Sequence, residues 1–129
     1  MTTYTPEEQR AHRQALVAAL RSGEYEQGVK RLRTEIKGRS HFCCLGVACE
    51  ISGLGKWTMF RTPQWVYLTD EGQSNWANLP QDVNHYYGFR TIYGGGASNN
   101  LTKLNDTGWS FAAIADLIES EPEGLIAKG

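Results

Sequence analysis

The chain has almost no net charge. Its 13 Lys and Arg stand against 14 Asp and Glu, a formal balance of −1 over 129 residues. A dedicated duplex-DNA binder carries a strongly basic footprint, so that function is not expected. No apolar run approaches the roughly 20 residues that a membrane helix needs, and no charged segment followed by an apolar one marks a signal peptide. Neither a membrane partner nor export is expected. Cysteine is scarce, at three residues, and an odd number crowded into one segment builds no disulfide framework. A reducing, cytoplasmic compartment fits that usage. Structural zinc draws two separated ligand pairs. No second Cys or His pair lies downstream of His41, Cys43, Cys44 and Cys49, so no metal is expected. The glycines lack a following Gly-Lys-Ser/Thr, which sets NTP hydrolysis aside. There is no internal repeat and no low-complexity linker. The length suits a single domain, 1–129, with 1–4 and 121–129 read as loose tails.

All three cysteines fall in His41-Phe42-Cys43-Cys44-Leu45-Gly46-Val47-Ala48-Cys49. Adjacent cysteines can hardly pair, because a disulfide needs Cα atoms roughly 4.4–6.8 Å apart with specific torsions. The residues between them are apolar or small, and free Cys is among the most buried residue types. The segment therefore reads as a buried helix of two turns, from Cys43 to Ile51, using sulfur as a small hydrophobe. A short buried strand is the alternative, since periodicity alone does not assign a short apolar run.

Helix signals bracket the rest. Thr5-Pro6-Glu7-Glu8 combines a cap, Pro at the first helical position and a capping box. The helix that follows carries Ala11, Ala15, Leu16, Ala19 and Leu20 on one face and stops at Gly23. Tyr25 to Ile36 reads as a hairpin or an irregular basic segment, with Gly38-Arg39 turning into Phe42. Gln64 to Leu68 reads as a strand, and Asp70 to Asn75 as a turn. Leu79-Pro80-Gln81-Asp82-Val83 opens a short helix that Gly88 ends. Gly94-Gly95-Gly96-Ala97-Ser98-Asn99-Asn100 is a loop leading into another, capped by Ser98 or Asn99. Ser110 caps the last helix, whose face is Phe111, Ile114, Ala115, Leu117 and Ile118. The expected class is α+β: a small single domain with several short helices packed on a short β-hairpin or small antiparallel sheet, joined by long loops.

Several segments resemble a family of small proteins found mainly in phage and prophage genomes. They are Ala19 to Gly28, Phe42 to Glu50, Leu79-Pro80, Leu101-Thr102-Lys103-Leu104-Asn105-Asp106 and Ser110 to Glu119. The cysteine segment and the Leu-Asn-Asp segment are its distinctive parts. That family has no settled activity, so the resemblance implies a phage setting, and with it the host bacterial cytosol. Small phage accessory proteins often act on host defence, some by sequestering nucleotide second messengers, an analogy by genomic setting.

Three functional classes compete. A thiol hydrolase would need Cys43 or Cys44 at a helix start, a His such as His41 or His85, and an orienting Asn105 or Asp106. The apolar surroundings of the cysteines favour a core role instead. Between Trp57 and Tyr93 lie nine aromatic residues, more than a thin domain hides easily. Surplus Tyr and Trp beside Arg suits base stacking or a protein interface. Arg61 and Arg90 lie in that stretch and have the planar fork that grips phosphate. The basic run from Lys30 to Arg39 reads either as a solvated face or as a patch for an anion.

The expectation is a binding protein without catalytic residues or cofactor. It holds a small anionic, nucleotide-like ligand through Arg33, Arg39, His41, Arg61 and Arg90, with Trp76, Tyr86 and Tyr87 stacking the base. A glycine loop contributed by Gly95, Gly96, Ser98, Asn99 and Asn100 closes over it, its backbone N–H groups offering an anion nest. A module that blocks a host protein through the same aromatic surface is the alternative. A homo-oligomer, by default a dimer, is expected from the surplus aromatics and the narrow Ala-rich helix face.

Overall fold

The computed structural model describes residues 3–61, 64–96 and 100–127. Helix α1 (Pro6–Arg21) begins where expected: the Thr5 hydroxyl accepts the Glu8 N–H at 3.1 Å, and the Glu8 carboxylate accepts the Thr5 N–H at 2.8 Å. Its buried face differs from the alanine stripe. Ala11 and Ala15 are exposed, whereas Arg13, Leu16, Val17 and Leu20 are buried. Burial follows apolar area, which the larger aliphatics supply. Arg13 goes in with them because its guanidinium donates to the Tyr87 carbonyl at 2.6 Å and pairs with Glu121 at 3.1 Å.

The first sheet holds β1 (Glu26–Gln27), β2 (Arg33–Ile36) and β3 (Arg39–Phe42) in the order β1-β3-β2. The hairpin β2–β3 turns at Lys37 and Gly38, whose φ values of 52° and 78° suit a two-residue turn with both centres left-handed. Helix α2 (Cys44–Ser52) follows at once and ends on the left-handed Gly53. Its cap is a sulfur: Cys43 Sγ accepts the Gly46 N–H at 3.4 Å. A Cβ at Gly46 would lie 1.8 Å from the Leu32 carbonyl oxygen, so only glycine lets α2 come this close to the chain entering β2.

The second sheet is antiparallel and ordered β4-β5-β6, from β4 (Gly55–Arg61), β5 (Gln64–Thr69) and β6 (Ser74–Asn75). The sequence marks β5 but not its neighbours. β4 starts on Gly55, just after Gly53, and has cationic residues near both ends, and β6 is two residues inside a turn. Arg33 links the sheets: its guanidinium carbon stands 4.0 Å from the Trp65 ring centroid and 5.6 Å from that of Trp57.

Three more helices complete the domain. α3 (Gln81–Tyr87) stops on the left-handed Gly88. α4 (Leu101–Asp106) is capped by Asn100, which accepts the Lys103 N–H at 2.9 Å; the two caps expected, Ser98 and Asn99, lie outside the described residues. α5 (Phe111–Ser120), capped by Ser110, buries Phe111, Ile114, Ala115 and Ile118 and packs against α1. Residues 121–127 are not a loose tail. Leu125 is buried, its carbonyl accepts the Arg90 N–H at 2.9 Å, and the Ala127 N–H reaches the Gly88 carbonyl at 2.9 Å. At the other end, Tyr4 packs edge-on against His12 and Tyr86. The arrangement is the expected α+β class, with α2 at the centre of one core.

Candidate functional site

One open groove of about 450 Å³ runs across the second sheet, lined by Arg61, Gln64, Val66, Ser74, Asn75 and Trp76. Register explains the lining. Arg61 sits opposite Gln64 and Leu68 opposite Ser74. Alternation along β5 therefore puts Arg61, Gln64, Val66 and Ser74 on the same side. Trp76 is held by its backbone. Its carbonyl accepts the Leu32 N–H at 2.9 Å, and the Asn75 Oδ1 accepts the N–H groups of Trp76, Ala77 and Asn78 at 2.9, 3.1 and 3.1 Å. This Asx-type turn leaves the indole 46% exposed beside the groove. Among the described residues no carboxylate pairs with Arg61, and the Gln64 and Ser74 side chains make no hydrogen bond. The groove thus joins an unneutralised guanidinium, a fixed aromatic plane and free polar groups beside the buried Val66.

Of the expected ligand residues that are described, Arg61 and Trp76 line this groove and the rest do not, most of them being engaged elsewhere. Arg33 stands over Trp65, on the opposite face of β5, and its fork is taken by Ser40 at 3.0 Å and Glu35 at 3.2 Å. Arg39 and His41 share Glu26, at 2.8 and 2.9 Å. Tyr87 is fully buried with its hydroxyl on the Ala48 carbonyl at 2.6 Å, so it has no face for a ligand. Tyr86 already stacks on His12, ring centroids 3.6 Å apart and 2° from parallel. Arg90 is exposed, and its backbone belongs to the C-terminal clasp through Leu125. The glycine loop is tied to itself: the Thr91 hydroxyl donates to the Gly95 carbonyl, Asn100 Nδ2 to the Gly96 carbonyl at 3.2 Å, and the Leu101 N–H to the Gly94 carbonyl at 3.0 Å. Ser98 and Asn99 of that loop lie outside the described residues.

A second cleft, of about 380 Å³, lies between α1 and α5 and contains Arg10, Arg13, Glu119 and Glu121. Glu121 pairs with both arginines, at 2.9 and 3.1 Å, so both guanidiniums in this cleft are already engaged within the protein.

The thiols are core groups. Cys43, Cys44 and Cys49 are all free and buried. Burial pushes Cys43 up to about 12 and lifts Cys44 and Cys49 well above the ordinary thiol value. A nucleophilic cysteine needs the opposite shift. The Leu-Asn-Asp segment also has a structural role. Asn105 accepts the Cys44 N–H at 3.1 Å and donates to the Gly28 carbonyl at 2.8 Å, while Asp106 accepts the Lys30 N–H at 2.7 Å. Among the described residues no three His, Cys, Asp or Glu side chains converge as a metal site, and no helix is long and apolar enough to cross a membrane.

Fold and site together define a small α+β domain with an open, cation-bearing groove on its second sheet. The chain belongs to the family described as a domain of unknown function, DUF8296, whose model matches residues 9–122. Neither the curated proteins nor the solved structures contain a match to it.

Proposed function

We propose that the protein binds a small anionic ligand of nucleotide type in the groove of Arg61 and Trp76 and holds it without chemical change. The observation that carries this reading is the sharing of one groove by an unpaired guanidinium and an exposed, backbone-fixed indole. Arg supplies a planar fork for phosphate. An indole offers a stacking surface worth about 1–3 kcal/mol per base. Gln64 and Ser74 provide hydrogen-bonding groups for a base edge or a ribose. The buried, proton-retaining thiols fit a role in binding better than one in nucleophilic catalysis. In a phage setting such a protein would act in the host cytosol, sequestering a nucleotide messenger used in defence.

The test is a thermal-shift screen of mono-, di- and cyclic nucleotides, followed by titration calorimetry and chromatography of the recovered ligand. A ligand at a hundred times its dissociation constant adds about 2.7 kcal/mol to stability, enough to be seen. Binding that Trp76→Ala and Arg61→Ala each weaken at least tenfold, with the ligand recovered intact, supports the reading. A ligand recovered altered would make the protein an enzyme. Absence of binding across the panel would overturn the reading and turn attention to a host protein as partner.

A further inference from the structure

The second sheet has one long open edge. β4 runs seven residues and pairs with β5 alone. Among the described residues no backbone–backbone hydrogen bond leaves its other side. The direction of its groups follows from the far end of β5, where the Thr69 N–H turns away to the Gln73 carbonyl at 2.8 Å. Thr69 is registered with Gly55, so that pair is not hydrogen-bonded across the ladder. Alternation then makes Lys56 and Thr58 the residues that bond to β5. Gly55, Trp57 and Met59 turn their N–H and C=O groups outward. The Gly55 N–H is already engaged by the Tyr67 hydroxyl at 2.8 Å. Trp57 and Met59 are left as a self-complementary pair of donor–acceptor residues, and Met59 is 37% exposed.

We propose that this edge pairs with the same edge of a second copy of the chain, antiparallel, about a two-fold axis at Thr58. In that register Trp57 of each copy exchanges both backbone hydrogen bonds with Met59 of the other, and the two Thr58 residues face one another. A register centred one residue earlier would need the engaged Gly55 N–H. The chosen register also keeps cations apart: Lys56 falls opposite position 60 and Arg61 opposite Gly55. The irregularity between Met59 and Arg61 ends the regular ladder just beyond the pairing residues. Natural edge strands are usually short, charged or covered. β4 is long, and its charges lie outside the segment that pairs. The opposite edge of the sheet is β6, two residues long. The contact therefore closes as a dimer with a six-stranded sheet and does not propagate. The axis stands perpendicular to the sheet, so both grooves open on the same side. The dimer does not depend on what they bind.

The test measures the mass of the full chain by light scattering and sedimentation over a concentration series, with hydrogen exchange on the same samples. A mass twice that of the chain is expected, with exchange at the Trp57 and Met59 amides slowing as concentration rises. Met59→Pro removes an outward N–H and leaves the β5 ladder intact, and Thr58→Lys sets two cations against each other. Each should give a monomer that keeps the wild-type circular dichroism. A wild-type protein that stays monomeric through the series overturns the proposal. So does a dimer that survives in a folded Thr58→Lys variant, or a dimer in which the Trp57 and Met59 amides exchange freely. If Met59→Pro fails to fold, Thr58→Lys and the exchange data decide.

Discussion

The side-chain amide of Asn105 meets that of Gln27 at 3.0 Å, and through this contact four elements are fixed to one another. Asn105 in α4 also accepts the Cys44 N–H at the start of α2 and donates to the Gly28 carbonyl just after β1. Gln27 in β1 reaches the Trp109 carbonyl at 2.7 Å and accepts the Phe111 N–H at 3.1 Å, at the start of α5. Asn105 is 1% exposed, so water cannot replace a lost partner. Removing one side of such a network costs about 1–3 kcal/mol for each buried group left unsatisfied. Asn105→Ala is expected to lose at least ~2 kcal/mol in urea unfolding. Asn105→Asp keeps the acceptor but loses the donor to Gly28, and is expected to be destabilised as well. A wild-type midpoint in both variants would show that the network contributes nothing.

Gly46 gives a prediction whose sign is diagnostic. In an exposed helix Gly→Ala gains about 1 kcal/mol. Here the added Cβ would lie 1.8 Å from the Leu32 carbonyl oxygen, a backbone atom that cannot swing aside. Overpacking costs about 1–3 kcal/mol and occasionally more, and a clash this close with a backbone atom belongs at the upper end, which outweighs the helix gain. Gly46→Ala should therefore unfold at markedly lower denaturant, by circular dichroism, and a stabilised variant would contradict the close packing of α2 on Leu32.

How far the fold is legible in the sequence follows from how local each signal is. The Thr5–Glu8 box, the Ser110 cap and the stop at Gly88 involve neighbours in the chain, and all of them are found. Tyr86 and Tyr87 read identically in the sequence but have opposite fates, because successive helical residues point about 100° apart: one stacks on His12 at the surface and the other is core. Asn105-Asp106 reads in the sequence as a source of the orienting group for a nucleophile. Its role as a tether depends on residues some 60 to 80 positions away, such as Cys44 and Gln27. The groove was half legible. Arg61 and Trp76 are conspicuous residue types, but what brings them together is the register of β4 on β5 and β5 on β6, two of which strands carry no clear sequence signal. The basic run from Lys30 to Arg39 reads either as a solvated face or as an anion patch: Glu35 offsets Arg33 locally, on the same strand, but Glu26 reaches Arg39 and His41 only once β1 pairs with β3.

The thiols yield an alkaline prediction. Cys43 titrates near 12 in the fold and Cys44 and Cys49 well above the ordinary 9.0, burial being the largest cause for each. Groups with raised folded values hold their protons more tightly in the native state. Their contribution is fully present below pH 9.0 and is lost as pH rises through the folded values. Stability should fall above pH 9.0, and replacing all three cysteines by Ala or Val should flatten that limb. At pH 8 a thiol reagent should label none of the three in native protein and all three after denaturation. One thiol that reacted promptly in the native state would reopen the question of a cysteine nucleophile.

The C-terminal clasp yields the acid counterpart. Glu121 ends α5 with φ at +48°, a left-handed conformation unusual for a residue with a Cβ, and from there its carboxylate spans Arg10 at 2.9 Å and Arg13 at 3.1 Å. The hydrogen bond from Arg10 is the main reason its pKa falls below the ordinary 4.5, with Arg13 adding to it. A depressed carboxylate contributes stability that is present above pH 4.5 and lost as pH drops through the lower folded value. Arg13 is buried, with 6% of its side chain exposed, but Glu121 is 29% exposed and partly screened by solvent. Glu121→Gln should therefore cost about 1–2 kcal/mol at pH 7, less than the full penalty for orphaning a buried charge. The difference from wild type should shrink to nothing in strongly acid solution, where both side chains are neutral. Amide exchange at Arg90 and Ala127 should quicken in the variant, because the segment that binds them follows directly from Glu121. A variant as stable as wild type at pH 7, or a deficit unchanged at low pH, would show that the Arg–Glu121 contacts do not hold the C-terminal segment down.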